Sequence, residues 1–460
     1  MCGILGVVSN GEVSQKVVLG LYDLQHRGEQ AAGMVLSNGK SVMERRGIGL
    51  VTEVFDDKTQ EDLRNFSGRF GIGHTLYSTI GNAEQKEQPR TLQPLVGKFL
   101  ANPFALSHNG NLIDLEKLRR EAEEKGYSFS SKDSDTEVIL ALVSTSPEKD
   151  FLEAITKVLP RLKGSFSLIF LFGDKVIGIR DGKGIRPLCL GRDENSFILA
   201  SEESAFKTMG ARFIREVKPG ELIVLGRNGI ENSFIWATNP ELKFCIFEFI
   251  YFARPDSRFM GKSVYSYREN AGRLLAREYP VQADIVCSVP DSGRIYNYGF
   301  AQELCIPLVD AIFRNRYYAK RTFMASRETD RRALQRRKLH VVRELVHGLR
   351  VVATEDSIIR ANVSPKVVAM VREEGATEVH LRVGSSPICW PCFLGVDMST
   401  RVELIASGLT VEEIGRKIIR ADSLGYLSIE GMISATGLPR ENFCLGCFTG
   451  DYPVEPCTLY

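Results

Sequence analysis

The residues best able to do chemistry stand at the front of the chain, in Met-Cys-Gly-Ile-Leu-Gly. Cys2 directly follows the initiator Met1, so removal of Met1 would leave a thiol and a free α-amine on one residue. Such an amine titrates near pH ~7.7–8.0 and can take the thiol's proton close to neutrality, where a general base works best. A nucleophile activated by its own terminal amine is a known arrangement. Acyl transfer by a thiolate also needs donors aimed at the developing oxyanion. The stretch "SHNGN" offers two: the side-chain NH2 of Asn109 and the backbone N–H of Gly110, with no side chain in its way. By itself an Asn-Gly pair reads first as a hairpin turn.

Three further constellations carry chemistry. In "ATEDSIIRANVS" (353–364) paired acids follow an apolar run; after a strand they can hold Mg²⁺ and ribose hydroxyls, and the next turn can offer donors to a phosphate. Cys389/Cys392 and Cys444/Cys447 form two CxxC pairs, a spacing that by itself suggests tetrahedral zinc. The run "SRETDRRALQRRKLH" (326–340) is strongly basic and by itself reads as a solvated helix face.

These groups need elements to position them. Residues 4–8 (ILGVV) read as a buried strand, and "VSQKVVLGLYDL" has apolar positions at helical spacing as far as Leu24. A turn at "HRG" and a strand over 31–36 follow. "GRFGIGHTLYST" (68–79) and "PFALSHNGNLID" (103–114) are apolar strands that run into polar, glycine-containing loops, where functional side chains concentrate. "SDTEVILALVS" starts a helix with Ser134 or Asp135 as N-cap, and 149–162 reads as an amphipathic helix. "GSFSLIFLF", "KVIGIRD", "SFILASE" and "GELIVLG" recur as short apolar runs, the mark of an antiparallel sheet. Beyond about residue 245 strands alternate with helices, which predicts a parallel, doubly wound sheet. The polar "ATNPELKF" near 235–244 places a boundary between domains at 2–240 and 241–460. Cys189, Cys287 and Cys305 lie in apolar runs and are expected in the core.

The chain has 460 residues, more than one core usually serves. Fifty-nine Lys and Arg against 57 Asp and Glu leave a formal charge of +2, which argues against wholesale binding of nucleic acid or membrane. No run approaches the ~18 apolar residues of a transmembrane span, and no secretory signal opens the chain. Ten cysteines in such a sequence read as thiols or metal ligands in a reducing cytoplasm.

Taken together, "MCGILGVVS", "LQHRGEQAAGM", "GIGHTLYST", "LSHNGNLID", "SDTEVI" and "RDGKGIRPLCLG" resemble the glutamine-hydrolysing domain of the amidophosphoribosyltransferases. The resemblance continues through "YFARPDS", "VPDSGR", "RNRYYAKRTF", "DSIIR", "PCFLGVD" and "CLGCFTGDYP", and so spans almost the whole chain. It implies an N-terminal-nucleophile αββα sandwich followed by a type I phosphoribosyltransferase-like doubly wound sheet with a cysteine-containing tail. Cys2 would attack the glutamine amide and release ammonia, with Asn109 and Gly110 as oxyanion hole. Asp135 would hold the α-amino group of glutamine, and Arg27 would lie near the nucleophile. Asp356, Ser357, Arg360, Ser364 and Lys338 would bind phosphoribosyl pyrophosphate. The basic run 326–340 would instead be a loop whose cations close over pyrophosphate and exclude water. Ser292, Glu355 and Asp356 would hold Mg²⁺, and Cys245, Cys392, Cys444 and Cys447 a four-iron four-sulfur cluster. The reaction implied is glutamine-dependent synthesis of phosphoribosylamine, the entry to purine synthesis, in a homo-oligomer (dimer or tetramer) inhibited by purine nucleotides.

Two departures from the family pattern touch substrate. An arginine that pairs with the α-carboxylate of glutamine is replaced by Leu76, and the usual Gly-Thr-Thr of the phosphate loop by Ala361-Asn362-Val363, behind Glu355 in place of Asp. They admit two other readings: an enzyme that aminates another activated sugar phosphate or uses another nitrogen source, and a non-catalytic regulatory paralogue.

Overall fold

Alternation of apolar side chains decides the first sheet. The computed structural model describes residues 2–77, 92–315 and 339–455. In strand β1 (Gly3–Ser9), Leu5 and Val7 face one way and Ile4 and Val8 the other, and all four are buried. A strand buried on both faces must lie inside a layered stack. Strands β2 (Ala31–Ser37), β3 (Val42–Ile48) and β4 (Phe70–Leu76) follow, then β5 (Leu95–Phe99) and β6 (Asn102–Leu112). Next come β7 (Gly164–Phe172), β8 (Lys175–Arg180), β9 (Cys189–Arg192) and β10 (Ser196–Ala200). Strands β11 (Arg212–Glu216), β12 (Glu221–Gly226) and β13 (Gly229–Ile235) complete the set.

They form two antiparallel sheets, ordered β11-β9-β10-β1-β4-β2-β3 and β13-β12-β8-β7-β6-β5. Ile4, Val8, Val35 and Ile72 of the first sheet meet Ala105, Ile169, Leu171 and Ile223 of the second in one inner core. On the outer faces, helix Ser14–Asp23 covers the first sheet through Val17 and Leu21, and helices Asp135–Ser144 and Phe151–Val158 cover the second. The result is the αββα sandwich expected from the sequence. Cys2 leads straight into β1, which is clamped between β10 and β4.

The second half is built around four parallel strands in the order Ile285–Ser288, Arg350–Glu355, Glu378–Val383 and Ser423–Tyr426. Helices Val264–Glu278 and Arg294–Leu304 pack on one face, and helix Ser364–Glu373 on the other. Residues that leave the C-terminal ends of these strands, such as Glu355 and Asp356, therefore stand at the mouth of the sheet, where ligands of such folds bind. A two-residue parallel ladder joins Phe244–Cys245 to Phe443–Cys444 across the sequence. Cys189 and Cys287 are buried core thiols as expected, whereas Cys305 is exposed. It caps helix Arg294–Leu304 in a left-handed conformation, φ 54°, and that turn carries its side chain out of the apolar run. Among the described residues no helix is long and apolar enough to cross a membrane.

Candidate active site

The start of β1, the end of β4 and the end of β6 converge. Cys2 N donates to Asn109 Oδ1 at 3.2 Å, and the Cys2 thiol approaches the carbonyl of Tyr77 at 3.7 Å. Asn109 is fully buried, and among the described residues its Nδ2 has no partner. Buried amide hydrogens are almost always satisfied, and this donor beside the thiol is available to an oxygen of a bound acyl group. Gly110 must be glycine for a steric reason: a Cβ there would lie 2.0 Å from the carbonyl oxygen of Ser165.

Asp135 lies in the first turn of its helix, behind the N-cap Ser134, which accepts from Glu137 N. Its carboxylate accepts from Leu112 N at 3.0 Å and Thr136 N at 2.6 Å, and His108 Nδ1 lies 3.6 Å away. Burial works to raise its pKa, but His108 and these N–H groups outweigh it and hold the carboxyl below its ordinary value. The charge is thus kept beside the end of the strand that carries Asn109. Arg27 is buried, and its Nε donates to the Cys2 carbonyl at 3.0 Å. Its other nitrogens go to Glu202 and Glu248. Leu76 ends β4, one residue before the carbonyl that faces Cys2 Sγ, and is itself buried. Sequence reasoning missed His74, which lies across from Ile4 in the sheet with Nε2 3.2 Å from the His108 carbonyl. Burial pushes its pKa down to about 3. A histidine inside an otherwise apolar strand was the available signal.

At the mouth of the parallel sheet, Glu355 and Asp356 are both buried. Burial pushes Glu355 up to about 8, with the neighbouring Asp356 adding to it, and raises Asp356 as well. Ser364 Oγ donates to Glu355 at 2.7 Å, Ser357 Oγ donates to Asp356 at 2.6 Å, and Ser292 also hydrogen-bonds Asp356. Two carboxylates that repel in a dry site are a standing place for a cation. Arg360 turns to Glu403, with Nε 2.7 Å from its carboxylate, and to the Asp397 carbonyl at 3.1 Å. Ala361 sits at φ 52°, a conformation natural to the glycine it replaces. Lys338 and the basic residues 326–337 lie outside the described residues.

Cys245 and Cys444 are paired in the two-residue ladder, and each feels the charge of Cys392, as does Cys447. All four are free thiols, and the buried Arg186 lies in the field of Cys245, Cys392 and Cys444. Among the described residues no three His, Cys, Asp or Glu side chains converge on one ion, so the zinc reading of the CxxC spacing gains no support.

Comparison with known proteins decides the family. A family profile described as "Glutamine amidotransferase domain" matches residues 82–208. The amidophosphoribosyltransferase of Methanocaldococcus jannaschii is 43% identical over 99% of this chain and 98% of its own. That of Archaeoglobus fulgidus is also 43% identical, with 99% and 98% covered. The chain belongs to the amidophosphoribosyltransferase family. A solved structure described as glutamine phosphoribosylpyrophosphate (PRPP) amidotransferase from B. subtilis, complexed with ADP and GMP, superimposes with a TM-score of 0.90. It is 39% identical over 99% of this chain and 98% of that one. The chain is accordingly an enzyme of the amidophosphoribosyltransferase type, and its reaction is glutamine-dependent formation of phosphoribosylamine, the first step of purine synthesis. Likeness at that level over the full length favours this activity over a different sugar substrate or a non-catalytic paralogue.

Proposed function

We propose that this amidophosphoribosyltransferase works as two linked sites, with residues 2–240 releasing ammonia and residues 241–460 using it. After Met1 is removed, the Cys2 α-amine takes the thiol proton and the thiolate attacks the side-chain amide carbon of glutamine. The oxyanion is met by Asn109 Nδ2 and the Gly110 N–H. The C–N bond breaks, the amine returns a proton to the departing ammonia, and water then cleaves the thioester to glutamate. Asp135 holds the α-ammonium group of glutamine, and Arg27 keeps the nucleophile in place. Ammonia crosses between the halves away from bulk water, which would protonate it. It attacks C1 of phosphoribosyl pyrophosphate and expels pyrophosphate. Ser357, Arg360, Ser364 and Lys338 serve the phosphosugar, and Ser292, Glu355 and Asp356 hold Mg²⁺. The observation that carries the glutaminase half is the buried, unpartnered Nδ2 of Asn109, whose Oδ1 is held by Cys2 N.

Cys245, Cys392, Cys444 and Cys447 hold a four-iron four-sulfur cluster. The donor set supports it: four free thiols lie within each other's field, and three of them, Cys245, Cys392 and Cys444, act on the buried Arg186, a cation that suits an anionic centre. A cubane takes one thiolate on each iron and so does not need four sulfurs on a single ion. When bound it would tie the sheet domain to the tail. ADP and GMP in the B. subtilis structure support purine nucleotides as effectors, and the enzyme is a cytoplasmic homo-oligomer.

The test uses two nitrogen sources. With phosphoribosyl pyrophosphate and Mg²⁺, pyrophosphate release is measured with glutamine or with ammonium. Cys2→Ser should lose the glutamine reaction and keep the ammonium one. Loss of neither, or failure of the unsubstituted enzyme with both sources, refutes the assignment.

A further inference from the structure

The residue that directs Cys2 is itself held from the other half of the chain. Arg27 Nη1 and Nη2 donate to the two Glu248 oxygens at 2.9 and 2.8 Å, while Nη1 also meets Glu202 at 2.5 Å. All of these groups are buried. The two carboxylates are not equivalent. Glu202, just after β10, also accepts from His26 and Ser257, both at 2.7 Å, and from Arg254 N at 3.0 Å. Glu248 lies three residues past Cys245, whose thiol feels its charge, and besides Arg27 it has the more distant Arg186 at 3.9 Å. Burying a second carboxylate is costly unless it does something a well-packed apolar side chain could not.

We propose that Glu248 is a positioning residue for the Cys2 nucleophile. A guanidinium is a rigid, planar fork. With both Nη atoms on Glu248, the direction of Nε is fixed, and Nε holds the Cys2 carbonyl. Without the Glu248 charge, Arg27 keeps one oxygen of Glu202 on Nη1 and can pivot about it, carrying Cys2 with it. The opposite wall is braced from the same half. Asn111 Nδ2 donates to the Phe393 carbonyl at 2.9 Å and Ser165 Oγ to the Leu394 carbonyl at 2.8 Å. Gly395 packs so closely on the Gly110 carbonyl carbon that a Cβ would lie 3.0 Å from it. Nucleophile and oxyanion donor are thus both set against the half that consumes the ammonia.

This inference rests on Cys2 as the glutaminase nucleophile, so Cys2→Ser is run beside Glu248→Gln and Glu248→Asp. Misplacing a nucleophile by about 1 Å costs on the order of 100-fold. Glu248→Gln should therefore lower glutaminase kcat by roughly 10- to 100-fold with glutamine KM within about three-fold. The ammonium-dependent reaction should be unchanged. Glu248→Asp keeps the charge and the two-oxygen bite but is one methylene shorter and reaches Arg27 less closely, so its glutamine kcat should fall between those of the unsubstituted enzyme and Glu248→Gln; it decides the matter if the glutamine variant does not fold. Full glutamine kcat in the variants overturns the proposal, as does an equal loss with both nitrogen sources. If Cys2→Ser retains glutaminase activity, the nucleophile assignment fails instead, whatever Glu248 does.

Discussion

Replacing Asn109 by Asp probes the oxyanion hole with the least change of shape. The Oδ1 that receives Cys2 N at 3.2 Å survives, while the buried, unpartnered Nδ2 becomes an oxygen. Removing one such donor elsewhere costs about 2.7–4 kcal/mol, or 10²–10³ in kcat. Asp adds repulsion between two negative oxygens, so the upper end of that range is expected. Glutamine KM should change little, because the ground-state amide gains least from this donor. The assay is steady-state release of glutamate, with ammonium-dependent pyrophosphate release as internal control. A kcat within a factor of about three, roughly 0.6 kcal/mol, would show that Nδ2 does not meet the oxyanion, and the site as drawn would be wrong.

Leu76→Arg should restore a partner for the glutamine α-carboxylate, worth ~1.5–3 kcal/mol and so a roughly 10- to 150-fold lower glutamine KM; an unchanged KM would show that another residue already supplies the charge. Ala361→Gly should relieve a left-handed alanine, adding up to about 1 kcal/mol of stability in urea unfolding after the entropy cost of glycine, and a loss of stability would contradict strain at φ 52°. His74 gives a pH dependence. Its folded pKa of about 3 lies below the unfolded value, so the unfolded chain binds the proton first. Stability from keeping His74 neutral is then full above pH ~6.5 and is lost progressively as pH falls toward about 3, by up to ~5 kcal/mol. His74→Gln should flatten the urea midpoint across that window, and an unaltered acid profile would remove His74 as its cause.

The two kinds of sheet were legible because recurring short apolar runs and strand–helix alternation are local signals, and the αββα layering came through the resemblance to the family. Cys2 and Asn109 stand in motifs with their own chemical logic, whereas the role given to Asp135 came through the resemblance to the family. The grouping of Arg27 with Glu202 and Glu248 was not legible. Buried ion pairs leave no periodic trace, and a glutamate in "CIFEFIYF" reads as an interruption in an apolar run until the partner across the fold is known. Cys305 misled for the opposite reason: local hydropathy placed it inside, while the helix cap that turns it outward depends on backbone geometry. Arg360 sits in the phosphate-loop motif, yet its guanidinium is taken up by Glu403 and Asp397 from a later segment.

The short ladder between Phe244–Cys245 and Phe443–Cys444 sets an order of events for the newborn chain. Domains generally fold as they leave the ribosome, amino-terminal part first, so the two-sheet sandwich can close early. The strand that follows it has no mate until Cys444 has been translated. The braces on Cys2 and Gly110 also come from this late-made half, which leaves hydrolysis of free glutamine poorly equipped until the molecule that would use the nitrogen is whole.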